Sequence, residues 1–537
     1  MKKRCFGWSL WFLLLIGFDE TAISQTERST WCGLPEVGAR RAPGRMNQRG
    51  SLAEMQTTLA IQNGGQWMTA KDTVHVLIVF VQFPDDNNDP SNSLWPANSA
   101  PTFMNTYIDS LPSQASTNGN LTHYFRVMSQ NRLILTGKTR FVIAPHSNQW
   151  YIDNDWKRWV INKEVLQTLD VSLDFSEFDR WKRYSEYDVR KESDGWVDMV
   201  FMIYRNVNQM STLDFYGGEA SLGYAREGSP YYEAADFFVD NNQRKIGNGH
   251  PVFGDPGSGT TSVLNTAGLW QTPYRGQIHE FAHHWMTNGS YFGHNGGGFW
   301  GMLDDWAARA TSDNIVCANS FERELLGWME PDSIYQSTSS FSLTDYITTG
   351  KAVKIKVPGT NPNEYFRLEY HAHESQFDGT EVHDPSAKGL YIIHQFGVSN
   401  PWSDLRLLPA DGKWAWTSDE LVYPSYYPAG LAVYKRSSVD RVNGYDDSRV
   451  VPFTWIGSPP TPSVPNPSWI HFYRDRQTNE VVEQTIFSGD GHDAFSLSSE
   501  RVFTPWSNPN TQNSAEQMSW IAVEIMYWFS GKWTPVV

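Results

Sequence analysis

The sequence predicts an α+β N-terminal domain followed by a β-rich C-terminal region. Three observations predict it. The chain has 537 residues, more than one ordinary hydrophobic core organises, so two or three domains are expected. Up to about residue 331, apolar β-branched runs alternate with stretches of helical periodicity. Beyond it, short segments alternate apolar and polar residues, as half-exposed strands do.

The elements follow in order. MKKRCFGWSLWFLLLIGF places three basic residues before an apolar run too short to span a membrane comfortably, and small residues at Ala22 and Ser24 follow. Residues 1–24 therefore read as a secretory signal peptide, with an uncleaved anchor as the alternative. Residues 25–70 are polar and irregular and read as a pro-segment or linker. The first domain is expected over 71–331. Its VHVLIVFVQF (74–83), closed by Pro84, reads as a buried strand. LTHYFRVMSQ (121–130) reads as a helix, RLILTGKTRFVI (132–143) as a hairpin and VDMVFMIYRN (197–206) as a second buried strand. GGEASLGYA (217–225) reads as a sheet-edge strand. In the β-rich region, 332–537, the stretches FSLTDYITTGKAVKIKV, EYFRLEYHAHE and GLYIIHQF read as strands, and SPPTPSVPNPS (458–468) as a proline-rich loop.

Composition narrows the function classes. A formal net charge of −16 argues against a nucleic-acid partner. After the N-terminal segment no apolar run approaches membrane length, so stable membrane insertion is not expected. The oligomeric state is not legible. Of three cysteines, Cys5 lies in the signal segment, leaving Cys32 and Cys317 as a possible disulfide in an oxidising compartment. The 24 tryptophans read chiefly as core filling, with exposed indoles that stack on sugars as the alternative.

The stretch QIHEFAHHW (277–285) carries the chemistry. His279 and His283 are four apart and so share one face of a helix, where two imidazoles can meet one ion. Zn2+ accepts histidine nitrogen and in hydrolytic sites keeps one position open for water. Glu280, beside the first ligand, is placed as general base. The other reading is a helix with polar neighbours. Downstream, the glycine-rich SYFGHNGGGFWGM offers His294 as third ligand, with Asp304 and Asp305 as alternatives. His284 points off the ligand face and reads as packing or outer support.

Several stretches in order resemble the immune inhibitor A family of secreted zinc endopeptidases, related to the metzincins. They are VHVLIVFVQFPDD, NLTHYFRVMSQNRLILTG, VDMVFMIYRN, QIHEFAHHW, GGFWGMLDD and FERELLGWMEP, continuing through EYFRLEY, FDG and KGLYIIHQF. The resemblance implies a metzincin-like zinc peptidase domain acting on proteins or peptides, zinc at His279 and His283, and catalysis by Glu280. It also implies that Met302 is an apolar floor under the metal. The family places a glycine three residues after the second histidine and a ligand three further on; here those positions hold Met286 and Gly289. The helix is therefore expected to run longer and the third ligand to come from elsewhere. Peptidases of this kind add the substrate as a strand to a sheet edge, for which GGEASLGYA is the candidate.

Weaker signals remain. TWCGLPEVGAR (30–40) resembles the latency segment of matrix metallopeptidases, in which a cysteine occupies the open zinc position, but Trp31 stands where that segment has arginine. PDDNNDP (84–90) gathers oxygen atoms suited to a structural Ca2+ yet lacks EF-hand spacing, and a solvated turn is the simpler reading. His371 and His373 alternate on a strand without an acidic partner in register, and read as a surface pair rather than a second metal site. Asn120-Leu-Thr and Asn288-Gly-Ser are glycosylation sequons. The sequence as a whole reads as a secreted zinc endopeptidase. The alternatives are an inactive relative that binds extracellular protein or glycan, and a zinc hydrolase of a non-peptide bond.

Overall fold

A computed structural model describes residues 65–86, 94–223 except 186, 211 and 216, 236–247, 259–264, 274–286, 301–303, 317–335 and 341–378 except 360. It also describes 388–396, 405–408, 410, 494–496, 500–536 except 508, 516, 530 and 531, and four short stretches of strand within 421–475 and one at 481–485. The expected signal peptide, the linker up to residue 64, Cys32, and the proline-rich loop lie outside the described residues.

The N-terminal unit is built on a mixed sheet. β1 (Asp72–Gln82) pairs in parallel with β2 (Leu133–Ile143) on one side and with β5 (Val200–Tyr204) on the other. β9 (Gly259–Val263) continues the parallel run, and β6 (Gly218–Glu219) closes it as an antiparallel edge, giving the order β2-β1-β5-β9-β6. Two small hairpins, β3 (Lys182–Ser185) with β4 (Asp188–Arg190) and β7 (Asp236–Val239) with β8 (Arg244–Gly247), decorate it.

The uninterrupted apolar run of β1 is explained by cover on both faces. Val74, Val76, Ile78 and Phe80 enter a core shared with α1 (Leu121–Met128) and α4 (Tyr274–Met286). Leu77, Val79 and Val81 enter a second core with Trp159, Val165 and Leu166 of α3 (Arg158–Asp170), while α2 (Asn148–Asp153) precedes α3 on the same side of the chain. In α1, Leu121, Tyr124, Phe125 and Met128 form the buried stripe, and the Asn120 side chain caps the helix by accepting from the His123 backbone N–H.

Three expectations need correction here. RLILTGKTRFVI is one continuous parallel strand, not a hairpin. Gly137 does not turn the chain; it permits close approach, because a Cβ there would collide with the Val76 carbonyl. Residues 65–70 are not a linker. They are buried, and the Gln66 and Trp67 backbone N–H groups donate to the Trp285 and His284 carbonyls at the end of α4 (3.0 and 2.9 Å), satisfying groups a helix leaves open. The Asn120 sequon is buried, and its Nδ2, the atom a glycan would need, donates to Asp109 Oδ1 at 2.7 Å. Asn288 lies outside the described residues.

The C-terminal region begins with α5 (Ser320–Leu325) and a sheet of β10 (Asp332–Ile334), β11 (Ala352–Lys356), β12 (Tyr365–His371), β13 (Gly389–Gln395) and β14 (Leu405–Leu408), paired in that order. The short α6 (Tyr346–Thr349) precedes β11. Further strands β15 (Leu421–Pro424) and β16 (Leu431–Tyr434) pair with each other, as do β17 (Val450–Val451), β18 (Ile470–Asp475) and β19 (Val481–Thr485). β20 (Val502–Phe503), β21 (Val523–Phe529) and β22 (Lys532–Val536) form a last antiparallel sheet.

The strands β11 to β13 are not half-exposed as their alternation suggested; they are buried on both faces. One face, with Val353, Ile355, Phe366, Leu368 and Ile392, packs against Phe503 and Val523. The other carries Ala352, Tyr391 and Ile393 into the core of the N-terminal unit. Its polar members also meet partners: Glu324 of α5 pairs with Lys354 and Arg367, each at 2.6 Å. The hydrophobic core therefore crosses residue 331. No helix among the described residues is long and apolar enough to cross a membrane.

Candidate metal centre

α4 is set by two stripes. Ile278, Phe281, Ala282 and Trp285 lie at helical spacing and enter the main core, with Phe281 and Trp285 meeting Phe125 edge to face. Gln277 pins the helix to β9, accepting from Thr260 Oγ1 at 2.7 Å and donating to Ser262 Oγ at 2.8 Å. His284 Nε2 meets the Gly259 carbonyl at 3.2 Å, and burial pulls its pKa down to about 3, so it is a neutral donor that ties the helix to β9. That is the supporting place expected for it.

His279, Glu280 and His283 are all buried and bring one ligand atom each within 4.8 Å of one another. The two Nε2 atoms stand 3.2 Å apart. Two nitrogens bound at about 2.0–2.1 Å to one tetrahedral Zn2+ would stand about 3.3 Å apart. His279 Nδ1 lies 2.9 Å from the Met302 carbonyl. A carbonyl only accepts, so Nδ1 carries the proton and Nε2 keeps its lone pair for a metal. The residues present thus fit a zinc ion.

Met302 is buried and touches the site through its backbone. Glu322, at the start of α5, holds that backbone: it accepts from the Met302 N–H at 2.8 Å and the Leu303 N–H at 3.0 Å. Burial pushes its carboxyl up to about 7, against the pull of these donors. Glu322 also completes a capping box with Asn319. The sequence reading missed this role. The N-x-x-E spacing of Asn319 and Glu322 was a legible cap signal, but the reach to Met302 was not.

Glu280 lies against the edge strand, since a Cβ at Gly218 would collide with its carboxylate. β6 is further held by a buried ion pair of Glu219 with Arg158 of α3 and by Ser221 Oγ donating to Glu219 Oε1 at 2.9 Å. Of the expected edge strand 217–225, Gly218–Glu219 form a strand that lies at the sheet edge among the described residues and borders Glu280. His294, Asp304, Asp305 and Gly289 lie outside the described residues, so the structure places no third ligand. Met286 is the last residue of α4 and is buried.

Other expectations resolve differently. Of the PDDNNDP stretch, residues 87–90 lie outside the described residues; Asp85 accepts from the Asn148 N–H at 2.7 Å and Asp86 pairs with Arg205 at 2.7 Å. Both carboxylates serve protein donors. His371 is not on the surface: it is fully buried, with Nδ1 at 2.6 Å from Asp378 Oδ1 and Nε2 at 3.4 Å from Glu369 Oε2. Burial alone would lower its pKa, but Asp378 and then Glu369 outweigh it and raise it to about 10. Most described tryptophans are buried or half-buried; Trp506 and Trp520 are each 73% exposed and meet edge to face. No protein-family model matches the chain, and no curated protein is significantly similar to it.

Proposed function

We propose that the chain is an exported zinc-dependent endopeptidase of the immune inhibitor A type. The observation that carries this is the pair of His279 and His283 Nε2 atoms 3.2 Å apart, with the Glu280 carboxylate beside them. A zinc ion held there would polarise the scissile carbonyl and make a nearby water acidic enough to attack at neutral pH. Glu280 is the group beside them that would serve as general base, taking a proton from such a water and returning it to the departing amine. Met302 and Glu322 hold His279 in the tautomer that binds metal. The β6 edge, next to Glu280, offers backbone groups to which an extended peptide could add as a strand. The third ligand in this reading is His294, or else Asp304 or Asp305.

The second reading is an inactive relative that binds extracellular protein or glycan. The exposed Trp506–Trp520 pair and the departures at Met286 and Gly289 favour it.

The test is metal content and casein cleavage by wild type and Glu280→Ala side by side. Both proteins are expected to hold zinc at this site, with cleavage lost by at least about 10²–10⁴-fold in the variant. Metal lost with Glu280 would make it a ligand, not a base. Zinc without cleavage of any protein or peptide, even after trimming of the N-terminal segment, would point to a non-peptide hydrolase. A wild-type protein without zinc here would hand the lead to the binding reading.

A further inference from the structure

A second cluster lies on the side of α5 that faces the C-terminal sheet. Cys317 precedes α5, His371 ends β12 and Asp378 sits in the turn beyond it. Their ligand atoms lie within 4.8 Å of one another and all three residues are buried. Thiol, imidazole and carboxylate are the three donor types zinc takes from proteins. One ring nitrogen of His371 faces Asp378 and the other faces Glu369. An ion bound on the Asp378 side leaves the far N–H to Glu369, the kind of outer carboxylate that orients metal-binding histidines. Glu369 is itself held by the Ser320 backbone N–H at 2.6 Å.

We propose that Cys317, His371 and Asp378 form a second metal site, for a zinc-type divalent cation, that ties the segment before α5 to the C-terminal sheet. The thiol and imidazole donors select Zn2+ over Ca2+ or Mg2+. Full burial suits a structural ion rather than one that works on substrate. As the ion binds, the thiol proton and the proton on His371 Nδ1 leave to solvent, and Nδ1 exchanges its bond to Asp378 for the ion. The site stands independently of the hydrolytic reading, because it shares no ligand with His279 and His283.

The test uses the full chain with Cys5→Ser and Cys32→Ser, so that Cys317 is the sole thiol. Metal-stripped protein is titrated with Co2+, and the near-ultraviolet thiolate-to-cobalt charge-transfer band is followed. The band is expected to reach about one cobalt per chain, and to persist when His283→Ala is added. Zinc is expected to displace it, and the metal-loaded protein is expected to melt at a higher temperature than the stripped one. A protein that binds cobalt without the band, or binds none, overturns the proposal and leaves His371 as the centre of a buried ion-pair network. Loss of the band with His283→Ala would also overturn it, by making the two clusters one site.

Discussion

At the residue scale, the candidate centre is prepared by what holds its ligands as much as by the ligands themselves. His279 keeps its Nε2 lone pair because the Met302 carbonyl takes the proton on Nδ1, and Met302 stays in place because Glu322 accepts its N–H. Removing that support leaves three buried N–H groups, of Met302, Leu303 and Asn319, without their acceptor and lets His279 turn. Glu322→Ala is therefore expected to weaken zinc binding by about 10–100-fold, read by competition with a chelator. Glu322→Gln, which still accepts one hydrogen bond, should recover part of it. His75 provides a pH prediction away from the site. It is buried, bonds Thr136 Oγ1 at 3.0 Å and stacks on Phe178, and burial lowers its pKa to about 4. A base with a depressed folded pKa stabilises the fold above its unfolded pKa of about 6.5 and loses that contribution as pH falls towards 4. The loss is on the order of 3 kcal/mol. Thermal midpoints of His75→Gln should fall less than those of wild type between pH 7 and pH 4.

At the scale of elements, the strands show where local pattern and global packing part. RLILTGKTRFVI carries a glycine amid polar residues, which reads as a turn, yet β2 runs straight beside β1 for eleven paired positions. The glycine answers to the Val76 carbonyl across the strand pair. Gly137→Ala should force the two strands apart and cost about 1–3 kcal/mol, seen as a lower midpoint in urea. Were the segment only a turn, the substitution would be close to neutral. The alternation in β12 misleads for a related reason. Arg367, Glu369 and His371 look like a solvent face, but α5 brings Glu324 and the Ser320 N–H to meet two of them. A polar face buried against complementary partners has the same period as an exposed one.

At the scale of the whole molecule, the core joins what the sequence divided. Trp328, Leu326 and Phe321 pack with Tyr346, Ile347, Tyr391, Ile393, Leu405 and Leu407 in one cluster with α4. The large apolar side chains beyond residue 331 each contribute about 1.5–3 kcal/mol on burial. Their loss together is comparable to the roughly 5–15 kcal/mol by which a domain is stable. A chain ended at Pro331 is accordingly expected to be insoluble or to melt without cooperativity, measured against the full chain. A soluble fragment with a sharp transition would show that the N-terminal unit stands alone.

The sequence by itself determined the elements whose signal is local. The run at 74–83 read as a buried strand, LTHYFRVMSQ read as the helix α1, and the four-residue step from His279 to His283 put two imidazoles and Glu280 on one helix. Tertiary structure alone decided which residues those elements meet. It set β6 against Glu280, carried the Glu322 carboxylate to Met302, gave His371 its partners Asp378 and Glu369, and wrapped residues 65–70 over the end of α4. The physical reason is range. Helical and strand periodicity act over a few residues and are written in the chain. A carboxylate 43 positions from the histidine whose loop it steadies is chosen by how the layers pack.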